Sequence, residues 1–315
     1  MTNFPTIDDI RKAAERIKPF AHRTPVLTNQ TINRMLEAEL FFKCENMQKV
    51  GAFKFRGACN TVMSLSEKEA KRGVATHSSG NHAQALALAA RLRGIPAYIV
   101  MPETAPAVKK AAVAGYGAEI AFCKPTLEAR ETTLSEVVDK TGATFVHPYN
   151  DYRVITGQAT AALELLSDTG ELDIVMTPVG GGGLLSGTAL TVSSLSPQTN
   201  VIAAEPAGAD DAFRSLRKGE IIPSTNPQTI ADGLLTSLGD KTFAIIQAHV
   251  SDITTVSEEK IVEAMRLVWE RMKVIIEPSA AVPLGALLQG NLDVQRKRIG
   301  IIFSGGNVDL GKLPW

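Results

Sequence analysis

The sequence predicts an α/β protein built on parallel sheet, and two observations support this class. Short runs rich in β-branched residues alternate repeatedly with longer segments that have the periodicity of helices. The short runs are apolar almost throughout, as expected for strands that helices cover on both faces. A chain of 315 residues can also bury a large core in one or two domains.

The alternation is clearest from residue 73 onward. GVATHSS predicts a strand that leads into the helix NHAQALALAARLRG, and PAYIVMP predicts the next strand, before the helix APAVKKAAVAGYG. AEIAFC and TFVHP predict strands on either side of the helix TLEARETTLSEVVDKTG, and ITGQATAALELL is again helical. LDIVMTPV, NVIAAEP and RIGIIFS predict three more strands, with the helix LLSGTALTVSSL between the first two. Because no flexible linker interrupts this pattern, any second domain must lie within it.

Composition and charge exclude several classes of function. Lysine plus arginine and aspartate plus glutamate both number 33, so the formal net charge is zero and predicts neither a nucleic-acid nor a membrane partner. The N-terminal segment has no apolar core of the kind found in signal peptides, and no apolar run is long enough to span a bilayer. Three widely spaced cysteines, Cys44, Cys59 and Cys123, offer no disulfide framework. We therefore expect a soluble, cytoplasmic protein.

The segment VGAFKFRGA places Lys54 between two phenylalanines in a mostly apolar run. One interpretation is a surface lysine whose aliphatic stem lies on apolar neighbours while its ammonium group reaches water. The other is a desolvated lysine, whose lowered pKa makes it a neutral amine that can form a Schiff base. The local sequence leaves both interpretations open.

Four consecutive glycines, Gly180 to Gly183, lie between a predicted strand and a predicted helix. Glycine lets successive N–H groups turn toward one point, and the helix N-terminus adds partial positive charge, so the segment predicts a phosphate site. Its spacing fits neither the dinucleotide fingerprint nor the P-loop. A plain flexible turn is the alternative, but four glycines carry a large entropy cost.

Two further strand ends carry polar turns, HSSGNHAQA and FSGGNVD. Ligands of open α/β sheets lie beyond the carboxyl ends of strands, so these turns and the glycine run could share one cleft. Their hydroxyl, amide and N–H groups suit a carboxylate. A neutral lysine, a phosphate cradle and a carboxylate clamp together suit pyridoxal phosphate with an amino-acid substrate.

The motifs also carry a resemblance to a known family. KFRGA around Lys54, SSGNH at 78–82, GGGGL at 180–184 and SGGN at 304–307 resemble the serine/threonine dehydratase and serine racemase family, in order and nearly from end to end. These are pyridoxal-phosphate enzymes of fold type II, the tryptophan-synthase-β fold. The resemblance implies two open twisted sheets flanked by helices, with the cofactor in a cleft between domains. Residues 73–147 would form a small mobile domain, and residues 1–72 with 148–315 a large cofactor-binding domain.

The resemblance implies a set of cofactor contacts drawn from all four motifs. Ser304 would face the pyridine nitrogen of the cofactor. Because a serine hydroxyl cannot keep that nitrogen protonated, the ring would be a weaker electron sink, which favours prompt β-elimination over transamination. The other contacts would be Lys54 as the Schiff-base lysine, Phe53 and Glu277 near the ring, Asn81 at the phenolic oxygen, and Gly180, Gly181, Gly182, Gly183 and Leu184 around the phosphate.

The same resemblance implies how a substrate would be held. Ser78 and the backbone of Asn81 and His82 would clamp its carboxylate. Ser79 would act as acid or base on the face of the substrate opposite Lys54, and two opposed proton-transfer groups are the minimum for racemisation. Biosynthetic threonine deaminases tend to have alanine at this position. Alternatively, Ser79 only bonds the carboxylate or caps the following helix.

Two positions bear on substrate choice. Arg130 matches a position that approaches the distal group of a substrate in serine racemases, which would suit the second carboxylate of 3-hydroxyaspartate. A solvated helix arginine is the alternative. Tyr149 departs from the family pattern, because mammalian racemases have asparagine there.

AAEPAGADD resembles the divalent-cation site of the family. Glu205 and Asp211 would supply carboxylates and Ala209 a backbone carbonyl to magnesium, calcium or manganese, with waters completing the shell. The alternative is a turn in which Asp210 or Asp211 caps the next helix. The family also implies a homodimer.

The leading hypothesis is an ammonia-lyase that eliminates water from L-serine or L-threonine to give ammonia and a 2-oxo acid, with Lys54 removing the α-proton. Serine racemase and threo-3-hydroxyaspartate ammonia-lyase are the alternatives on the same residues. A β-replacing synthase is disfavoured, because FKFRGA and SSGNH differ from the SVKDR-like and TSGNTG-like motifs of those enzymes. A ligand-binding regulator that has lost catalysis would be expected to lose Lys54.

Overall fold

The strand–helix alternation folds into two separate sheets. The computed structural model describes residues 4–315, apart from the side chain of Val108. A six-stranded sheet has the order β1-β2-β10-β7-β8-β9, and a four-stranded sheet has the order β5-β4-β3-β6. The strands are β1 Val26–Leu27, β2 Glu39–Cys44, β3 Val74–His77, β4 Ala97–Pro102, β5 Glu119–Cys123, β6 Thr144–Phe145, β7 Ile174–Pro178, β8 Asn200–Pro206, β9 Asp252–Val256 and β10 Arg298–Phe303.

Helices cover both faces of the sheets. They are α1 Ile7–Ile17, α2 Gln30–Leu36, α3 Lys54–Ser64, α4 Glu67–Arg72, α5 Asn81–Arg93, α6 Ala107–Gly115, α7 Leu127–Thr141, α8 Tyr152–Thr169, α9 Gly183–Leu195, α10 Asp211–Lys218, α11 Asp240–His249, α12 Glu258–Met272 and α13 Pro278–Gln289.

Alternate residues of the central strands enter different cores, as the continuous apolar runs predict. Ile299 and Ile301 of β10 pack with α12 and α13 on one face of the large sheet. Ile302 packs with α8 and α9 on the other. In the small sheet, Ile99 faces α5, whereas Val100 faces α7. Strands buried on both faces read as unbroken hydrophobic runs.

The predicted parallel arrangement is confirmed with one exception. All pairs in the small sheet are parallel, and so are those of the large sheet from β2 to β9. The two-residue strand β1 instead pairs antiparallel with β2, at the edge of the large sheet. The segment TFVHP is a strand only over Thr144–Phe145, so residues 146–148 leave the small sheet.

The topology brings the motifs to one region. β3 ends at His77 just before the SSGN turn, β7 leads into the glycine run, and β10 leads into SGGN. The small sheet lies within the predicted small domain of residues 73–147; the domain boundaries and the mobility of that part stay predictions. None of the helices in residues 4–315 combines the length and apolar character that a bilayer-crossing segment requires.

Candidate active site

Lys54 is the first residue of α3, and its half-buried side chain reaches Pro148, which lies just beyond the last strand of the small sheet. Its Nζ donates to the carbonyl of Pro148 at 2.9 Å and lies 5.1 Å from the centre of the Phe53 ring. Burial lowers the pKa of Lys54 to about 8, although the charge of Glu277 opposes the shift. The geometry therefore matches the desolvated lysine rather than the surface one.

The glycine run forms a cradle that side chains would fill. A Cβ on Gly181 would lie 2.3 Å from Cδ1 of Tyr149, and Gly182 has a φ of +86°. The hydroxyl of Thr242 donates to the carbonyl of Gly181 at 2.9 Å and fixes the turn. α9 begins at Gly183, and within residues 4–315 no side chain caps it. Its first N–H groups are therefore available to an anionic ligand.

Asn81, Glu277 and Asn307 form a network that joins the small sheet to the large one. Asn81 Nδ2 lies 3.1 and 3.3 Å from the two carboxylate oxygens of Glu277. Asn307 donates from its backbone to Glu277 at 3.1 Å and from Nδ2 to Asn81 Oδ1 at 2.9 Å. Burial raises the pKa of Glu277 to about 7. The SSGN and SGGN turns therefore meet, as their positions at strand ends predicted.

Ser304 is buried at the end of β10, the central strand next to β2. Its carbonyl accepts a hydrogen bond from the N–H of Phe53 at 2.9 Å, and Gly305 forms an isolated antiparallel bridge with Ala52. These contacts place Ser304 beside the residues that lead into α3 and Lys54.

The SSGNH turn presents polar groups at the start of α5. The hydroxyl of Ser78 accepts from the N–H of Gly80 at 3.3 Å. Gly80 is the N-cap of α5, and in the described chain no side chain caps this helix, so Ser79 does not serve as its cap. His82 lies 3.2 Å from the carbonyl of Val146 through Nε2, and burial lowers its pKa to about 3, so the ring is neutral.

Arg130 lies on α7, near the carboxyl end of β3. Burial lowers the pKa of His77, the last residue of β3, and the positive charge of Arg130 adds to the shift while Glu131 opposes it. The Nε of Arg130 is buried, and within residues 4–315 it has no hydrogen-bond partner. Arg130 as a whole is half-buried, so its role toward a substrate stays a prediction and the solvated helix arginine stays the alternative.

The comparisons with known proteins agree with this site. Residues 17–305 match the family model described as pyridoxal-phosphate dependent enzyme. The chain belongs to this family. A beta-hydroxyaspartate dehydratase from Paracoccus denitrificans is 53% identical over 311 residues, which cover 99% of each chain. A serine racemase from Dictyostelium discoideum is 52% identical over 312 residues, covering 98% of this chain and 96% of the relative.

The fold of the chain is also similar to that of a solved structure. The structure of maize serine racemase superimposes with a TM-score of 0.95 at 47% identity, covering 97% of this chain and 94% of that one. The resemblance predicted from the motifs and the fold type II architecture, two sheets flanked by helices, are confirmed.

The residues of the cleft fit pyridoxal phosphate. The uncapped start of α9, with glycines that no larger residue could replace without a shift, suits the phosphate. Lys54 supplies an amine with a lowered pKa. Asn81 follows β3 of the small sheet and Ser304 follows β10 of the large sheet, and they stay the predicted partners of the ring oxygen and nitrogen.

The residues predicted to bind a cation lie at the end of β8. Glu205 is fully buried, and its two oxygens accept from the N–H groups of Ala212 and Phe213 at 2.9 and 2.8 Å. Burial raises the pKa of Glu205 to about 8. Two backbone N–H groups therefore bind the carboxylate of Glu205, which is not accessible to solvent.

Asp211 is 1% exposed, and within residues 4–315 neither of its carboxylate oxygens has a hydrogen-bond partner. Burial raises its pKa to about 6, although the nearby hydroxyl of Ser224, beyond hydrogen-bond geometry, opposes the shift. Asp210 is the N-cap of α10 but makes no side-chain cap bond in the described chain, so the capping alternative lacks its hydrogen bond. No group of three or more His, Cys, Asp or Glu side chains in that part of the chain could hold a metal. A cation here would need the Ala209 carbonyl and waters as well.

Sequence reasoning did not assign roles to three contact groups of the cleft. They are the carbonyl of Pro148, the side chain of Asn307 and the ring of Tyr149, which packs edge-on to His147 at 4.6 Å. Burial raises the pKa of Tyr149. The position of HPYND just after a strand of the small sheet was the available signal for Pro148 and Tyr149, and the SGGN motif was the signal for Asn307.

Proposed function

We propose that the protein eliminates water from 3-hydroxy amino acids and releases ammonia and a 2-oxo acid. The observation that carries the proposal is the Lys54 amine, whose lowered pKa of about 8 makes it a base near neutral pH. Pyridoxal phosphate, when bound, supplies the electron sink that acidifies the α-proton of an amino acid. Lys54 would accept that proton at Nζ, and Pro148 would orient the amine.

The remaining residues would bind and orient the substrate. Ser78 and the N–H groups at the uncapped start of α5 would hold the substrate carboxylate. The neutral ring of His82 is buried beside this turn and would not compete for the substrate carboxylate as a cation. Ser304, a hydroxyl where other cofactor sites have a carboxylate, favours elimination over transamination.

The substrate range that we propose includes 3-hydroxyaspartate beside serine and threonine. Arg130 has a buried, unpartnered N–H within the described chain and lies near the end of β3, where a second substrate carboxylate would find a cation. The 53% identity with a beta-hydroxyaspartate dehydratase supports this range.

A serine racemase is the second candidate. Ser79 is half-buried at the same turn and does not cap α5, which leaves its hydroxyl for proton transfer on the face opposite Lys54. The 52% identity with a serine racemase supports it.

Ammonia release from a panel of L-serine, D-serine, L-threonine and the isomers of 3-hydroxyaspartate tests the proposal, with chiral analysis of the remaining serine. We expect ammonia and a 2-oxo acid in equal amounts from the L-hydroxy amino acids. Racemised serine without ammonia would favour the second candidate, and no turnover of any member would contradict both.

Three further features remain proposals. We infer a divalent cation at Glu205, Ala209 and Asp211, supported by the unpartnered oxygens of Asp211. We infer a cytoplasmic location, supported by Cys44, Cys59 and Cys123, which are free and buried thiols. A homodimer rests on the family resemblance and is tested by light scattering.

A further inference from the structure

The helix that carries Lys54 starts directly after a strained turn. Val50 has a φ of 57° and Gly51 a φ of 69°. A β-branched residue at positive φ is a genuine outlier, which persists only where surrounding contacts fix it. Within residues 4–315, the N-cap residue Phe53 makes no side-chain cap bond, so other contacts must hold the start of α3.

Arg56, in the first turn of α3, makes such contacts with two carboxylates. Its side chain is fully buried. Nε and Nη2 donate to the two oxygens of Glu45 at 2.7 and 2.8 Å. Nη1 and Nη2 donate to the two oxygens of Glu164, both at 2.8 Å, and Nη1 also reaches Thr160 at 3.1 Å. The guanidinium is thus clamped between the residue that follows β2 and the middle of α8.

The cluster is balanced in charge. Lys43, also fully buried, donates to Glu164 at 2.6 Å and to the carbonyl of Thr24 at 2.7 Å, so two cations face two anions. Burial would raise the pKa of Glu164, but Arg56 and Lys43 outweigh it and hold this pKa below its ordinary value. A paired buried cluster of this kind fixes geometry, because breaking it would leave a charge uncompensated.

The clamp acts where α3 and α8 touch through their backbones. The N–H of Gly57 donates to Gln158 at 3.1 Å, and a Cβ on Gly157 would lie 2.6 Å from the carbonyl oxygen of Arg56. Helices this close cannot accommodate a displaced arginine without moving relative to each other. The position of the first turn of α3 on α8 is therefore tied to the guanidinium.

We propose that Arg56 is a positioning residue for Lys54, and that its two-carboxylate clamp sets where the lysine amine lies in the cleft. The inference rests on the proposed role of Lys54 as the base. Both residues belong to the same helical turn, so a shift of that turn displaces the amine from the carbonyl of Pro148 and admits water around it. A displacement of about 1 Å costs up to roughly a hundredfold in rate.

Arg56→Lys keeps the positive charge but removes the guanidinium group that pairs with two carboxylates. Arg93→Lys is the matched control. Arg93 donates to the carbonyls of Val62 and Leu65, at the opposite end of α3, so its substitution loosens the same helix away from Lys54. For each cofactor-loaded variant, kcat, KM, the effect of α-deuterated substrate and the melting temperature are measured. For each cofactor-free variant, the pH dependence of Lys54 acetylation is followed by mass spectrometry.

We expect Arg56→Lys to lower kcat tenfold to a hundredfold with less than about a threefold change in KM. The isotope effect should rise, and the pKa of Lys54 should move from about 8 toward the ordinary 10.5. Arg93→Lys should lower only the melting temperature. An Arg56→Lys protein with the kcat and Lys54 pKa of the unmodified enzyme would overturn the proposal.

Glu164→Gln keeps the experiment decisive if Arg56→Lys does not fold. The side chain of Glu164 is 18% exposed, and Glu164→Gln leaves the paired hydrogen bonds between Arg56 and Glu45 intact. We therefore expect a smaller decrease in kcat and a smaller rise in the pKa of Lys54 than in Arg56→Lys. Unchanged kcat and Lys54 pKa in this variant would also overturn the proposal. If the unmodified enzyme turned over no substrate, the proposed function would be contradicted. The pH dependence of Lys54 acetylation would still test whether Arg56 positions Lys54.

Discussion

The basicity of Lys54 depends on its burial, because an exposed lysine amine is protonated at neutral pH. Burial brings its pKa to about 8, and burial raises the pKa of Glu277 in the same cleft to about 7. The negative charge of Glu277 favours the protonated amine, so protonation of Glu277 would make Lys54 easier to deprotonate.

Ser79 separates the two candidate functions. If its hydroxyl serves the face opposite Lys54, Ser79→Ala should lose racemisation and D-serine turnover while it keeps most of its L-serine elimination. Loss of one positioned proton-transfer group costs on the order of a hundredfold or more in rate. Chiral chromatography of serine together with ammonia release measures both activities.

Ser78→Ala is the control for Ser79→Ala. Ser78 already accepts the N–H of Gly80, and we expect its loss to raise KM for both activities alike. If Ser79→Ala also reduced both activities by the same factor, Ser79 would be a carboxylate-binding residue instead.

The strand–glycine–helix element at β7 and α9 shows how much a local pattern can predict. The strand, the glycine turn and the start of the helix can all be predicted from TPVGGGGLLSG, because glycine and helix geometry act within a few residues. Anion binding at this turn stays a prediction. α13 was not predicted, since PSAAVPLGALLQ contains two prolines; Pro278 occupies the first turn, and Pro283 lies inside the helix. β2 is also not predicted, because Lys43 interrupts its apolar run. Lys43 can be buried in the strand only because it pairs with Glu164, which lies 121 residues further along the chain.

Gly181→Ala tests the cradle. The added Cβ would lie 2.3 Å from the Tyr149 ring, so the turn must shift and misdirect the N–H groups that we propose bind the phosphate. Hydrogen bonds to charged groups are worth about 1.5–3 kcal/mol, so we expect at least a tenfold weaker affinity for pyridoxal phosphate by titration of the cofactor-free protein.

Gly115→Ala is the control, because a Cβ there meets no atom within 4 Å. This variant should bind the cofactor as the unmodified protein does. Unchanged affinity in Gly181→Ala would mean that the phosphate lies elsewhere.

Across the whole molecule, two sets of side-chain contacts link the helices packed on the small sheet to segments of the large-sheet part. Lys109 of α6 donates to Asp232 at 3.0 Å, and the Asn81 network makes the second link. The motifs alone pointed to Lys54, the glycines and the SSGN turn, because each is a short segment with its own chemistry. The partners Pro148, Asn307 and Arg56 depend on which segments the fold brings together, and a single sequence does not encode that in a readable pattern.

The proposed cation site makes stability depend on the metal. A cation that binds only the native state adds about 2.7 kcal/mol at a hundredfold excess over its Kd. We expect magnesium, calcium or manganese to raise the melting temperature of the chelated protein. Asp211→Asn should abolish this response, because it removes the carboxylate whose oxygens are unpartnered in the described chain.

Asp210→Asn should retain the cation response, since Asp210 bonds Arg214 at the surface. A melting temperature that ignores all three cations, or a response that survives in Asp211→Asn, would contradict the assignment.

The central claim is that Lys54 holds the cofactor and performs the proton transfer, and peptide mapping after borohydride reduction tests it most directly. The protein, loaded with pyridoxal phosphate, is reduced, digested and sequenced by mass spectrometry. The account predicts one pyridoxyl group per chain, on Lys54 in the peptide that contains AFKFR. A pyridoxyl group on any other lysine, with Lys54 unmodified, would contradict it.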